Sequence, residues 1–147
     1  MHPYIQLTIP AEAEYLDIVR LNLFGFASKA GFSYEDVEDM KVAVAEACNN
    51  AILHAYGEEP GGSVDIRMEL IGEEMAITVQ DYGRSFAVSP LSFEAPVPPT
   101  EITRIRTSGM GLYLMQALMD DVQVEVESGK GTTVVLTKRL HGKEVIL

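Results

Sequence analysis

The chain has 147 residues, 47% of them hydrophobic, enough to bury one ordinary core and too few for two comfortable domains. Eleven Lys and Arg side chains against 22 Asp and Glu leave a formal charge of -11, which repels phosphate backbones and argues against direct nucleic-acid binding; an influence on gene expression would have to pass through another protein. The single cysteine, Cys48, excludes an intramolecular disulfide and a cysteine metal framework, and His2, His54 and His141 lack metal-ligand spacing.

No apolar run approaches the roughly 18 residues of a membrane span. The opening MHPYIQLTIP lacks the basic region and apolar core of a secretory leader, so a cytoplasmic protein with no membrane partner is expected. Residues 4–10, YIQLTIP, alternate apolar and polar before a proline and predict a first strand. From Ala11 to Ala30, the residues Tyr15, Ile18, Val19, Leu23, Phe26 and Ala27 recur at spacings of three and four, predicting an amphipathic helix that Gly31 ends. Ser33 is placed to cap the next helix, with Asp36 where an acid complements free N–H groups. Its core stripe is Val37, Met40, Val44, Ala47, Cys48, Ala51 and Ala55, and Glu46 and Asn50 fall on the other side.

GEEPGG at 57–62 is a turn, followed by two strand-like runs, SVDIRMELI and EMAITVQ, joined by GEE. DYGRSF, residues 81–86, closes the second run. Residues 87–108 hold Pro90, Pro96, Pro98 and Pro99 and show no clean period; a loop this long within one domain is usually functional or disordered. SGMGLYLMQALMDD then opens a helix at a glycine pair, and VQVEVES, GKG and TTVVLTKRL predict a closing hairpin.

Three polar islands stand out. Glu46 and Asn50 lie four residues apart, so their side chains point within about 40° of each other on one helix face. A nucleoside triphosphate site needs an oxygen ligand for Mg²⁺ and a group that orients an attacking hydroxyl or takes its proton, and Asn and Glu are residues of those kinds. An isolated pair of this sort reads first as a solvated helix face. Asp81 and Gly83 come where a strand ends: a carboxylate there can accept a hydrogen bond from an exocyclic amine, and glycine lets a flat ring approach the backbone, but an ordinary Asp-x-Gly turn has the same sequence. In SGMGL, Ser108 to Leu112, two glycines precede helix residues whose N–H groups can cradle phosphate, or simply pack closely. GMGLYL lacks the third glycine of a dinucleotide fingerprint and SGKGTT lacks the P-loop order, so neither of those motifs is present.

The order of these islands resembles the N, G1 and G2 boxes of the ATPase superfamily that includes gyrase, Hsp90, histidine kinases and MutL. EACNNAILHAY and SGMGLYLMQALMDDVQVEV are similar to the anti-sigma-factor serine kinases of Gram-positive bacteria, of the RsbW type and near the sporulation relative SpoIIAB. The resemblance runs over most of the chain. It implies an α+β fold, a two-layer α/β sandwich of the Bergerat ATP-binding kind with a mixed sheet packed against helices, in one domain, 1–147, with an ATP lid at about 84–108. It further implies Glu46 as the catalytic base for transfer to serine, Asn50 as the Mg²⁺ ligand, Asp81 on the adenine amine, Gly83 in the adenine pocket, Gly109 and Gly111 against the phosphates, and Thr132 on the adenine side. DYGRSF carries Ser85 where the superfamily commonly has a second glycine. ITRIRTS is a basic island in the lid, where Arg104 or Arg106 is placed to neutralise γ-phosphate charge; the alternative is two exposed loop charges.

The cofactors implied are ATP or ADP and Mg²⁺. The implied partners are an alternative sigma factor and a STAS-domain anti-anti-sigma protein that becomes phosphorylated, with Arg20 of the first helix a candidate contact for both. The edge YIQLTI and the LNLFGF region are candidates for a homodimer interface. Two rivals stand beside this reading: a nucleotide-dependent sigma-binding module without kinase activity, and a detached histidine-kinase catalytic domain.

Overall fold

The computed structural model describes residues 2–56, 61–83, 111–127 and 130–141, the side chains of 54–56 excepted. Five strands, β1 (Tyr4–Pro10), β2 (Ser63–Ile71), β3 (Glu74–Asp81), β4 (Asp121–Glu127) and β5 (Gly131–Arg139), form one sheet in the order β1-β2-β3-β5-β4. Side-chain alternation decides which face is covered. Val64, Ile66 and Met68 of β2, Met75, Ile77 and Val79 of β3, and Leu136 of β5 are buried, and the register sets Met68 beside Ile77 and Ile77 beside Leu136. Helices α1 (Leu16–Ala30), α2 (Tyr34–Asn50) and α3 (111–118) supply the other half of that core through Val19, Leu23, Met40, Val44, Leu112 and Met115.

The α+β class and the two-layer arrangement are those expected. In one particular the sheet differs: all four pairings are antiparallel, where a mixed sheet was expected. β3 and β4 do run the same way, but the chain between them carries α3 across the sheet and sets β4 down one strand further on. β5 then returns as a hairpin into the gap, so no parallel neighbours arise.

Both strand and helix boundaries follow local chemistry. Gly31 ends α1 at φ 107, a left-handed conformation suited to glycine, with its N–H on the Ala27 and Ser28 carbonyls. Ser33 Oγ accepts the Asp36 N–H at 3.1 Å and starts α2, as its sequence position predicts. The first helix is shorter than the periodicity suggested. A 3-10 turn at Ala13–Tyr15 precedes it, and the phase is set by Leu16, Val19, Leu23 and Ala27; Ile18, assigned to the core from spacing, is exposed. After Asn50 the backbone widens into a π-helical stretch, Ala51–Tyr56, a form found mostly as a local bulge and often beside functional groups. Residues 57–60 of the turn expected at 57–62 and the lid at about 84–108 lie outside the described residues, as does the side chain of Ala55.

Candidate functional site

Glu46 and Asn50 are half-buried on α2, turned away from the stripe of Val44, Ala47, Cys48 and Ala51. What they face is the start of the described part of α3. A Cβ placed on Gly111 would stand 2.9 Å from Glu46 Oε1 and 3.3 Å from Asn50 Nδ2. Any side chain at 111 would therefore press on both polar groups, and glycine leaves that space to a ligand. The carboxylate, the carboxamide and Gly111 of α3 thus share one small volume. Gly109, expected beside them, lies outside the described residues, as do Arg104 and Arg106.

Asp81 ends β3 on the helix-covered face and is 4% exposed. Its Oδ1 accepts the backbone N–H groups of Gly83 and Thr132, each at 3.2 Å. Its Oδ2 has no partner among the described residues. A buried carboxylate oxygen without a donor is unfavourable, so this atom calls for a ligand that donates. Burial pushes the Asp81 carboxyl above the usual carboxylate range, opposed by the two N–H donors. The structure therefore brings Asp81, Gly83 and Thr132 together, and the Asp-x-Gly sequence is at once a turn and the mount for an unsatisfied acceptor.

Three residues of this corner, Gly131, Tyr82 and Thr8, escaped the sequence reading, as did Lys138 outside it. Gly131, at φ 123, lies so close to β3 that a Cβ would overlap the Asp81 carbonyl oxygen; its only sequence signal is the GKG turn. Tyr82 and Thr8 both donate their hydroxyls to Asp65, which tethers the residue between Asp81 and Gly83 to β1 and β2. Lys138 is buried beneath α3, where a charged residue in TTVVLTKRL gave no hint of enclosure.

Arg20 belongs to a different surface. It is half-buried on α1 and lines a groove of about 430 Å³ with Asp17, Leu21, Phe24, Tyr34 and Lys41. Leu21 is 69% exposed and Phe24 is 43% exposed, so the groove sets open apolar side chains among charged ones, Glu38 included. Cys48 is buried, and its thiol is pushed up to about 12 by burial, with Arg20 opposing; this is a core thiol held protonated.

Among the described residues no three His, Cys, Asp or Glu side chains gather as a metal cage, and no helix is long and apolar enough to cross a membrane. A family model described as a histidine kinase-like ATPase domain matches residues 9–138. The chain is similar to the serine-protein kinase RsbW of Bacillus velezensis, 44% identical over 144 residues that make up 97% of this chain and 89% of that protein. To the serine-protein kinase RsbW of Bacillus subtilis it is 42% identical, with the same coverage of both chains. Among solved structures, the RsbU and RsbW domains of a Mycobacterium tuberculosis protein match with a TM-score of 0.70 at 22% identity, over 99% of this chain and 35% of that longer one, a likeness of fold.

Proposed function

The chain belongs to the RsbW serine-protein kinases within the histidine kinase-like ATPases, and from this premise we propose that it acts as a partner switch. It holds an alternative sigma factor and, using ATP, phosphorylates a serine on the STAS-domain antagonist that otherwise displaces that factor. The observation that carries the chemistry is the meeting of Glu46, Asn50 and Gly111 in one small volume.

In this reading the adenine amine donates to Asp81 Oδ2, the buried oxygen that lacks a donor among the described residues, while the Gly83 and Thr132 N–H groups hold the carboxylate in place. Gly83 leaves room for the ring, and Gly109 and Gly111 let the phosphates approach the backbone. Asn50 presents a carboxamide oxygen on the phosphate side, of the hard donor type that Mg²⁺ takes. Asn50 would hold the cation together with the phosphates of the nucleotide. Bound there, Mg²⁺ supplies neutralisation of phosphate charge. Glu46 accepts the proton of the serine hydroxyl as that oxygen bonds the γ-phosphorus; the bond to the β-phosphate oxygen breaks and ADP leaves. Arg104 or Arg106 on the lid neutralises the charge that develops.

The antagonist gains roughly -1.5 to -2 charges on phosphorylation. Against a protein of formal charge -11 that addition weakens the complex. Arg20 and the exposed Leu21 and Phe24 form the docking surface for sigma factor and antagonist in turn, with a homodimer and a cytoplasmic location completing the reading.

The test mixes the protein with Mg²⁺, ATP and the STAS-domain protein encoded nearest its gene, and follows the antagonist's mass. One acid-stable phosphoryl group on serine, lost in Glu46→Gln while ATP binding is kept, is expected. Transfer that survives Glu46→Gln removes Glu46 from the role of base, and ATP binding without transfer to such a partner leaves only a nucleotide-dependent binding module.

A further inference from the structure

With Asp81, Lys138 is one of two buried charged side chains among the described residues. It stands on β5 opposite Met75, which is fully buried. Its ammonium donates to the Leu118 carbonyl at 2.6 Å and lies 3.8 Å from Asp39 Oδ2 and 3.9 Å from Asp36 Oδ1. Leu118 is the last residue of α3, so the cation sits where that helix's dipole is negative. Asp36 and Asp39 belong to the first turns of α2. One side chain thus joins the C-terminal end of α3 to the N-terminal end of α2.

The opposite ends of the same two helices meet at Gly111, Glu46 and Asn50. The helices therefore run antiparallel, tied by Lys138 at one end and facing each other across the reaction site at the other. From Gly111 to Leu118 α3 runs about 10 Å, so a tilt at Leu118 is transmitted to Gly111. The chain just past α3 is held to the same strand: the Asp120 N–H donates to the Thr137 carbonyl, and the Arg139 N–H donates to Asp120 Oδ2.

Stability alone does not account for a lysine here. A methionine of similar length would fill the space without the desolvation of an ammonium, and replacing buried ionic groups by apolar ones is often neutral or stabilising. The geometry points to Lys138 as a positioning residue for phosphoryl transfer, setting the tilt of α3 and with it the separation of Gly111 from Glu46 and Asn50. This rests on the reading of that volume as the place where phosphate meets base.

The experiment compares Lys138→Met, Lys138→Arg and Val19→Ala, the last a truncation in the α1 core away from α3. For each, thermal stability, ATP affinity and kcat at saturating ATP per folded molecule are measured. Lys138→Met is expected to lose about ten- to a hundredfold in kcat. Lys138→Arg, which keeps the donors, recovers most of it, and Val19→Ala loses stability with kcat unchanged. A folded Lys138→Met with wild-type kcat overturns the inference, as does a loss that Val19→Ala reproduces. Should Lys138→Met fail to fold, the pair Asp36→Asn and Asp39→Asn cuts the tie from the α2 side, and unchanged kcat there is equally fatal. Absence of transfer by the wild-type protein is a different result and sinks the kinase reading instead.

Discussion

Gly131 and Asp81 approach so closely that the backbone of β5 can enter the sheet beside β3 only without a side chain. The position has φ 123, where any other residue is strained, and the space for a Cβ is filled by the Asp81 carbonyl oxygen. Close approach delivers the neighbouring Thr132 N–H to Asp81 Oδ1. One glycine thus fixes the aim of the buried carboxylate.

Gly131→Ala is accordingly expected to lower stability by about 2–4 kcal/mol, since strain and overlap with backbone add and no flexible side chain can give way. Urea denaturation checks this. The surviving folded protein should also bind ATP more weakly, because Asp81 shifts with β5; stability within about 0.5 kcal/mol of wild type would contradict the close contact.

Asp81→Asn separates function from stability. The asparagine oxygen can keep both N–H donors, so the mutant sheds a buried charge while losing the acceptor proposed for the adenine amine. Because the folded carboxyl sits above its ordinary value of 3.8, the native state binds more protons than the unfolded state between the two values, and stability falls as pH rises through that window. The penalty persists at neutral pH. Asp81→Asn should therefore be at least as stable as wild type at pH 7, with its advantage shrinking as pH falls towards 3.8, while ATP affinity collapses. Paired melts across pH, with calorimetric titration of ATP, read both effects.

Gly111→Ala makes the converse demand. The new Cβ would meet the ends of Glu46 and Asn50, which can swing aside, so folding is spared and the reaction volume is not. A melting temperature within a few degrees of wild type and a loss of about ten- to a hundredfold in transfer rate are expected. A drop in stability with transfer intact would mean that the glycine serves packing alone.

Ser33→Ala tests the local origin of α2. Losing the acceptor for the Asp36 N–H should cost about 1 kcal/mol, seen as a fall of about 2–4 °C in melting temperature, with ATP affinity unchanged.

Each of these sites was visible in the sequence to a different degree. Ser33 with Asp36, and Gly31 as a helix stop, are legible because caps depend on neighbours within four residues. The buried stripe of α2 and the alternation of β2 and β3 are legible because a periodic pattern is the imprint of one covered face. Ile18 misled for the same reason: spacing within 11–30 cannot reveal that the helix begins only at Leu16, which resets its phase. The apolar neighbours of Arg20 part in the same way, Val19 into the core and Leu21 open to solvent.

The sequence by itself determined most of the elements, most of the core, the family, and the three islands proposed to build a nucleotide site. Tertiary structure decided which islands meet. Glu46 and Gly111 are 65 positions apart and Asp81 and Thr132 are 51 apart, and no local preference records that one helix opens on a distant carboxylate or that one strand brings an N–H to another strand's end. It also decided that the strands alternate in direction throughout, through a hairpin that returns between β3 and β4. Lys138 shows the difference most plainly. Its charge and its strand were readable, but its burial depends on two helices closing over it, and burial is a property of the folded whole.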